Sequence, residues 1–149
     1  MTGPPVRLTL TPSTDPDDYG FSHRVRARFA ETDAMGIVHH AAYLPWLEEA
    51  RVALLRHAGH PYDELRSTGV DLVVLEVFVR YRLPVRFDEV VDIDLTVGEV
   101  GRTTFQIGYL LRAGGEARAT AVTVHGAVDT AGRARRLPPW FGDEQFTRP

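Results

Sequence analysis

Two hydrophobic periods divide the first third of the chain. Over residues 23–30 apolar and basic residues alternate. Val25, Ala27 and Phe29 fall on one side and Arg24, Arg26 and Arg28 on the other, the period-two pattern of a half-buried strand. From about Ala42 the period becomes helical. Tyr43, Leu47, Ala50, Leu54 and Ala58 share one stripe, widened by Trp46 and Ala53. Pro45 is tolerated only in a first turn, where its missing N–H costs nothing, so the helix is expected to start at 41–43. Gly59 supplies the stop, and Arg56 and His57 suit the negative end of the helix dipole. Glu31, Thr32, Asp33 and Gly36 mark a turn between the two elements.

Beyond the helix, residues 60–69 read as a connection with a helical turn at Tyr62–Ser67. Four apolar stretches follow, at 70–83, 90–100, 103–112 and 116–129. Pro84 with Asp88 and Glu89, then Gly101 and Arg102, then Gly114 and Gly115 separate them. In the second stretch Val91, Ile93, Leu95 and Val97 face inward, and Asp92 and Asp94 outward. Short turns between consecutive strands predict antiparallel pairing. The fold class is therefore α+β, with one long helix lying in a curved antiparallel sheet. Residues 1–20 carry four prolines and three aspartates. They read as a flexible arm with one short edge strand at 6–10. The folded domain is expected over 21–141 and a mobile tail over 142–149.

Composition removes several chemistries. At 149 residues the chain suits one domain with a real core. All 17 basic residues are arginine, which excludes a Schiff-base or P-loop lysine, and there is no cysteine to serve as thiolate or metal ligand. A net charge of −3 makes no case for nucleic acid or an anionic membrane. No apolar run approaches a membrane span, and no leader pattern opens the chain, so a cytoplasmic protein is expected. The serines are Ser13, Ser22 and Ser67, none in a nucleophile elbow. His39 and His40 are chain neighbours that point apart, with no further ligand at metal-binding spacing, so no metal is expected.

The chemistry concentrates where the turn meets the helix. A carboxylate, Asp33, lies seven residues before His40 at the helix mouth. Such a pairing can activate water and polarise a carbonyl. The run Glu31-Thr-Asp33-x-x-Gly36-Ile-Val-x-His40-x-x-Tyr43, with Glu48-x-Ala-Arg51, resembles the opening motif of hotdog-fold acyl-CoA thioesterases. The similar branch is that of 4-hydroxybenzoyl-CoA thioesterase and the Tol-Pal-associated thioesterases. The stretch 76–89, the run Gly101-Arg-Thr-Thr-Phe105 and residues 127–138 extend the resemblance, more weakly.

The resemblance implies a hotdog fold, a homodimer or homotetramer with sites at the subunit interface, and no cofactor. It implies acyl-CoA or acyl-carrier-protein thioesters as substrates. Asp33 takes the place of the catalytic carboxylate, as general base or as nucleophile. The backbone N–H of His40 takes that of the oxyanion donor. Gly36 would let the chain approach the thioester, Tyr43 falls in the motif, and Arg102, Thr103 and Thr104 match contacts to the CoA nucleotide. Ala42 stands where the family commonly has Asn. Glu48 is the rival carboxylate, placed to meet Arg51. The alternative function is a non-catalytic acyl-CoA-binding protein.

Overall fold

The computed structural model describes residues 7–142. Five strands form one antiparallel sheet: β1 (Phe21–Arg26), β2 (Asp71–Tyr81), β3 (Val90–Gly98), β4 (Thr104–Ala113) and β5 (Glu116–Val128). The long helix α1 (Tyr43–His57) lies against one face, and a short α2 (Tyr62–Ser67) follows it. No helix among the described residues is long and apolar enough to cross a membrane. Tyr43, Trp46, Leu47, Ala50, Leu54 and Leu55 are the buried stripe of α1. They meet Val91, Ile93, Leu95 and Val97 of β3 and Phe105, Ile107, Tyr109 and Leu111 of β4 in a single core.

The strand order is β1-β3-β4-β5-β2. Short connections alone would have made β2 and β3 neighbours. Instead β2 pairs with β5, and residues 82–89 carry the chain across β5 and β4 to β3. Three strand spacings are about 14 Å. Eight residues can span up to ~26 Å, so the crossing needs no further chain.

Local contacts modify the pattern that periodicity predicts. β1 ends at Arg26 rather than running to 30, and Phe29–Glu31 forms a 3-10 turn that leaves Phe29 76% exposed. The cause is local. The Glu31 carboxylate accepts from the Arg28 N–H at 2.8 Å, and the Glu31 N–H donates to the Arg28 carbonyl. β2 carries a bulge at Leu75, between Val74 and Glu76. Asp94 does lie on the outer face, yet it is only 3% exposed, because Arg112 grips it with two hydrogen bonds of 2.6 and 3.0 Å. At the C-terminal end Phe141 is buried against Phe105, so packing continues to the edge of the expected tail. Residues 143–149 of that tail lie outside the described residues.

The expected edge strand at 6–10 is absent over its described part, 7–10, and Val6 lies outside the described residues. Residues 7–10 are instead clamped by side chains. Glu76 accepts from the N–H groups of Arg7 and Leu8, and Gln106 Oε1 accepts from those of Thr9 and Leu10. Gln106 Nε2 donates back to the Arg7 carbonyl. The Leu10 side chain fills the slot over Gly98 and Gly108, where an added Cβ would come within 2.9 and 2.7 Å of it. The segment thus straps the face of the sheet opposite α1. On that face Leu110, Val122 and Val124 are at most 1% exposed.

One polar thread is buried between α1 and the sheet. Arg51 Nη1 donates to Tyr109 OH at 3.2 Å, Tyr109 OH meets Thr123 Oγ1 at 2.6 Å, and Thr123 Oγ1 meets His125 Nε2 at 2.7 Å. Burial, with the nearby Arg51 charge, lowers the pKa of His125 from 6.5 to about 3. The unfolded chain therefore binds a proton here that the folded chain does not. Stability should fall as the pH drops below about 6.5 and level off near 3. The slope from this group should reach at most about 1.4 kcal/mol per pH unit. Urea unfolding between pH 7 and 4 should show that part of the slope removed in His125→Gln. Equal slopes in the two proteins would mean that the imidazole is charged in the fold.

Candidate active site

The mouth of α1 is built by a small hairpin. Thr32 and Val38 form an isolated bridge, and Ile37 bridges to Arg86 on the crossing segment. Within the hairpin the Asp33 N–H donates to the Ile37 carbonyl at 2.8 Å, and the Gly36 N–H donates to the Asp33 carbonyl at 3.0 Å. Asp33 Oδ1 accepts from the Met35 N–H at 2.8 Å. One carboxylate oxygen is thus engaged in the turn, and Oδ2 has no hydrogen-bond partner among the described residues. Gly36 has φ +78°, and nothing lies within 4 Å of where its Cβ would be. The backbone conformation demands glycine there; no close approach within this chain does.

The chain then enters a 3-10 turn, His40–Ala42, that leads into α1. The His39 N–H donates to the Glu31 carbonyl at 2.7 Å, tying the entry to the start of the hairpin. His39 Nδ1 accepts from the Ala41 N–H, and the His39 carbonyl accepts from the Ala42 N–H. The His40 N–H donates to no described group. It is the open donor at the positive end of α1. The His40 carbonyl is held from β2, where Tyr81 OH donates to it at 2.7 Å.

Tyr43 is 3% exposed and stands between Trp46 and Tyr81, with ring centroids 5.3 and 5.0 Å away. Burial, then the neighbouring Tyr81, raises its hydroxyl to about 12. It packs behind the helix mouth and does not line an open surface. Trp46 Nε1 donates to Glu31 Oε2 at 2.8 Å, so the core reaches into the hairpin through one polar contact. Glu48 is exposed on α1 and makes no ion pair with Arg51 among the described residues, since Arg51 turns inward to Tyr109.

Arg102, Thr103 and Thr104 sit at the other end of the sheet. Thr104 pairs with Gly126, which in turn faces Val73 at the start of β2, whereas Tyr81 closes its end. Eight strand steps separate those ends, about 26 Å. Within one chain the hairpin and the 102–104 turn are therefore far apart.

Beneath the hairpin lies a contact with no sequence signature. The Val38 N–H donates to the Val85 carbonyl, so the hairpin rests on the crossing segment. Arg118 of β5 fixes that segment. It donates to the Pro84 carbonyl at 2.7 Å and to both Glu89 carboxylate oxygens at 3.0 and 2.9 Å. Its side chain is 9% exposed, and its Nε is buried without a hydrogen-bond partner among the described residues. Hydrogen bonding to Arg118 holds the Glu89 carboxyl below its ordinary range.

A helix mouth with an open N–H, faced by a carboxylate hairpin and cradled in a curved sheet, defines the hotdog thioesterase class. The comparisons agree. The family model of the thioesterase-like superfamily matches residues 27–145; the chain belongs to that superfamily and is a thioesterase. The chain is 31% identical over 134 residues to the 1,4-dihydroxy-2-naphthoyl-CoA hydrolase of Synechococcus elongatus, covering 83% of this chain and 95% of that one. It is 33% identical over 84 residues to the acyl-CoA thioester hydrolase YbgC of Escherichia coli O157:H7, covering 56% of this chain and 63% of that one. The crystal structure of a hypothetical protein from Aquifex aeolicus superposes with a TM-score of 0.76 at 38% identity, covering 79% of this chain and 93% of that one.

Removing Arg118 should unseat the crossing segment, because it leaves Glu89 and the Pro84 carbonyl without their donor. Arg118→Met is expected to cost about 3 kcal/mol in urea unfolding. Arg82→Met, at an exposed position of the same segment, should stay within about 0.5 kcal/mol of wild type. Equal effects would remove Arg118 from this role.

Proposed function

We propose that the protein hydrolyses acyl-CoA or acyl-carrier-protein thioesters, with Asp33 and the His40 N–H as its working pair. The observation that carries this reading is the open His40 N–H beside a hairpin that holds Asp33 by one oxygen only. The thioester carbonyl oxygen docks on that N–H. Asp33 Oδ2 takes a proton from water, and the resulting hydroxide adds to the carbonyl carbon. The negative charge gathers on the carbonyl oxygen, where the N–H and the helix dipole stabilise it. Collapse breaks the C–S bond, and the thiolate leaves to accept the proton from Asp33. Two relatives support the substrate class, being named as hydrolases of acyl-CoA and 1,4-dihydroxy-2-naphthoyl-CoA thioesters.

The site needs a second copy. β2 is an edge of the sheet, and Val74, Val77, Phe78 and Tyr81 along it are 43–47% exposed. An edge so long and apolar demands a cover. Antiparallel pairing of β2 with β2 of a second copy sets the start of one strand beside the end of the other. The partner's 102–104 turn then comes toward this chain's helix mouth, where Arg102 suits phosphate and Thr103 and Thr104 suit the CoA nucleotide. The smallest assembly that completes the site is a homodimer. A homotetramer would need a further surface, and the strap of residues 7–10 already lies on the outer sheet face.

Thiol release from a panel of acyl-CoA thioesters should fall at least ~100-fold in Asp33→Asn with the fold intact by circular dichroism. Retained activity would transfer the role to Glu48, and binding without turnover by wild type would favour an acyl-CoA-binding protein. Light scattering should give a dimer mass or a multiple of it for wild type, and monomer for Val77→Asp. A monomeric wild type would overturn the shared-site reading.

A further inference from the structure

The buried thread from Arg51 to His125 is not used by the hydrolytic chemistry above, yet it borders a cavity. That cavity, about 180 Å³, lies between the second half of α1 and the sheet. Its walls are chiefly aliphatic and aromatic, with Leu55, Val97, Ile107 and Phe105 among them. An apolar cavity of ~150 Å³ accepts benzene, so this one has room for a six-carbon ring or the end of an acyl chain. Its polar lining is Glu48, Arg51, His125 and Tyr62. A more open recess alongside shares Glu48, Arg51 and Val74 with it and extends to Leu44 and Pro45 in the first turn of α1. From Leu44 to Arg51 is seven helical steps, about 10 Å.

One arrangement uses every proton of the thread. A guanidinium only donates, so Tyr109 OH accepts from Arg51. The one proton of Tyr109 then goes to Thr123, and that of Thr123 to His125 Nε2. The imidazole, neutral at ordinary pH, must carry its proton on Nδ1. Both ends of the thread therefore present donors. Arg51 keeps N–H groups beyond the one used, and the Nδ1–H of His125 donates to no described group. Arg51 has no carboxylate within ion-pair distance among the described residues, and both residues line the cavity. The donors of Arg51 and His125, set in a chiefly apolar wall, select an acceptor oxygen. The Glu48 carboxylate at the same mouth disfavours an anion, which leaves a neutral carbonyl.

We propose that this cavity binds the far end of an acyl group bearing a neutral carbonyl oxygen, which Arg51 and His125 recognise. Arg51 is then a specificity residue. The identification of the ligand as an acyl group rests on the thioesterase reading, whereas the site itself does not.

Two measurements separate them. The first is binding of cyclohexanone and of methylenecyclohexane, which differ by oxygen for CH₂, followed by the imidazole NMR signals of His125. Wild type should bind cyclohexanone about tenfold tighter, the factor expected for a hydrogen bond from a charged donor. The ketone should shift the His125 signals, and Arg51→Met should lose the preference. Equal binding of the two ligands by wild type, or no binding of either, overturns the proposal without recourse to a variant. The second is kcat/KM for 7-oxooctanoyl-CoA against octanoyl-CoA. A ratio near ten in wild type that falls to about one in Arg51→Met is expected. If octanoyl-CoA is cleaved and the ratio is one in wild type, the acyl assignment fails and the thioesterase reading stands. If cyclohexanone binds at His125 and neither thioester is cleaved, the carbonyl site stands and the thioesterase reading fails.

Discussion

Everything at the helix mouth depends on how firmly α1 is seated in the sheet. Leu47 and Ala50 are fully buried, and Tyr43, Trp46 and Leu54 nearly so. A fully buried leucine is worth roughly 1.5–3 kcal/mol, so the stripe outweighs any polar contact in the protein. That seating fixes the axis along which the backbone dipoles add, and hence where the open His40 N–H points. A donor proposed to meet developing charge is useful only if it cannot move away. Here the rigidity comes from packing behind the mouth, from Tyr43 and Trp46, and from the Tyr81 hydroxyl clamping the His40 carbonyl.

The hairpin that carries Asp33 has little core of its own. Met35 is 74% exposed and Phe29 76%. Its order is borrowed through backbone bonds to the crossing segment and through Glu31, which meets both Arg28 and Trp46. The crossing segment is itself held by Arg118. A buried arginine is a costly way to hold a loop, because its desolvation must be offset by several well-made bonds. It does something no leucine can, since its planar donors reach the Pro84 carbonyl and both oxygens of Glu89 at once. The polar contacts of this region position backbone, and the apolar ones supply the stability.

What the sequence made legible is what local periodicity encodes. The stripe from Tyr43 to Leu54 with Pro45 and Gly59 at its ends located α1 closely, because the helix period, first turn and stop are all short-range. The inward set Val91, Ile93, Leu95 and Val97 followed from alternation in the same way. Strand order did not follow, since β2 and β3 are separated by eight residues yet by two other strands. Asp94 lies on the outward face as expected, but its burial did not follow, because alternation gives the face of a strand and not what covers that face. Phe29 was misplaced because a side chain-to-backbone bond from Glu31 outcompeted strand pairing. At the proposed site, Asp33 and His40 were singled out through motif spacing. Tyr81, Arg118 and Tyr109 were not, since the contacts that give them their roles, to His40, Glu89 and Thr123, span 14 residues or more, and His125 joins them only through Thr123.

The two faces and two edges of the sheet are treated unequally, and that asymmetry constrains assembly. One face is filled by α1. The other is strapped by residues 7–10, which offer the sheet backbone donors and one leucine, and Glu76 and Gln106 are placed to receive them. The β1 edge carries arginines already paired, Arg24 with Asp92 and Arg26 with Asp88. Only β2 is left with both unpaired backbone and a row of exposed apolar side chains. The bulge at Leu75 and the charged Glu76 do not blunt it, because Glu76 is occupied by the strap. A sheet protected everywhere else and bare along one strand selects its partner surface by elimination. That strand also runs from the 102–104 end of the sheet to the helix mouth, so in the proposed dimer the contact that covers the edge is also the one that would join the two parts of the proposed site.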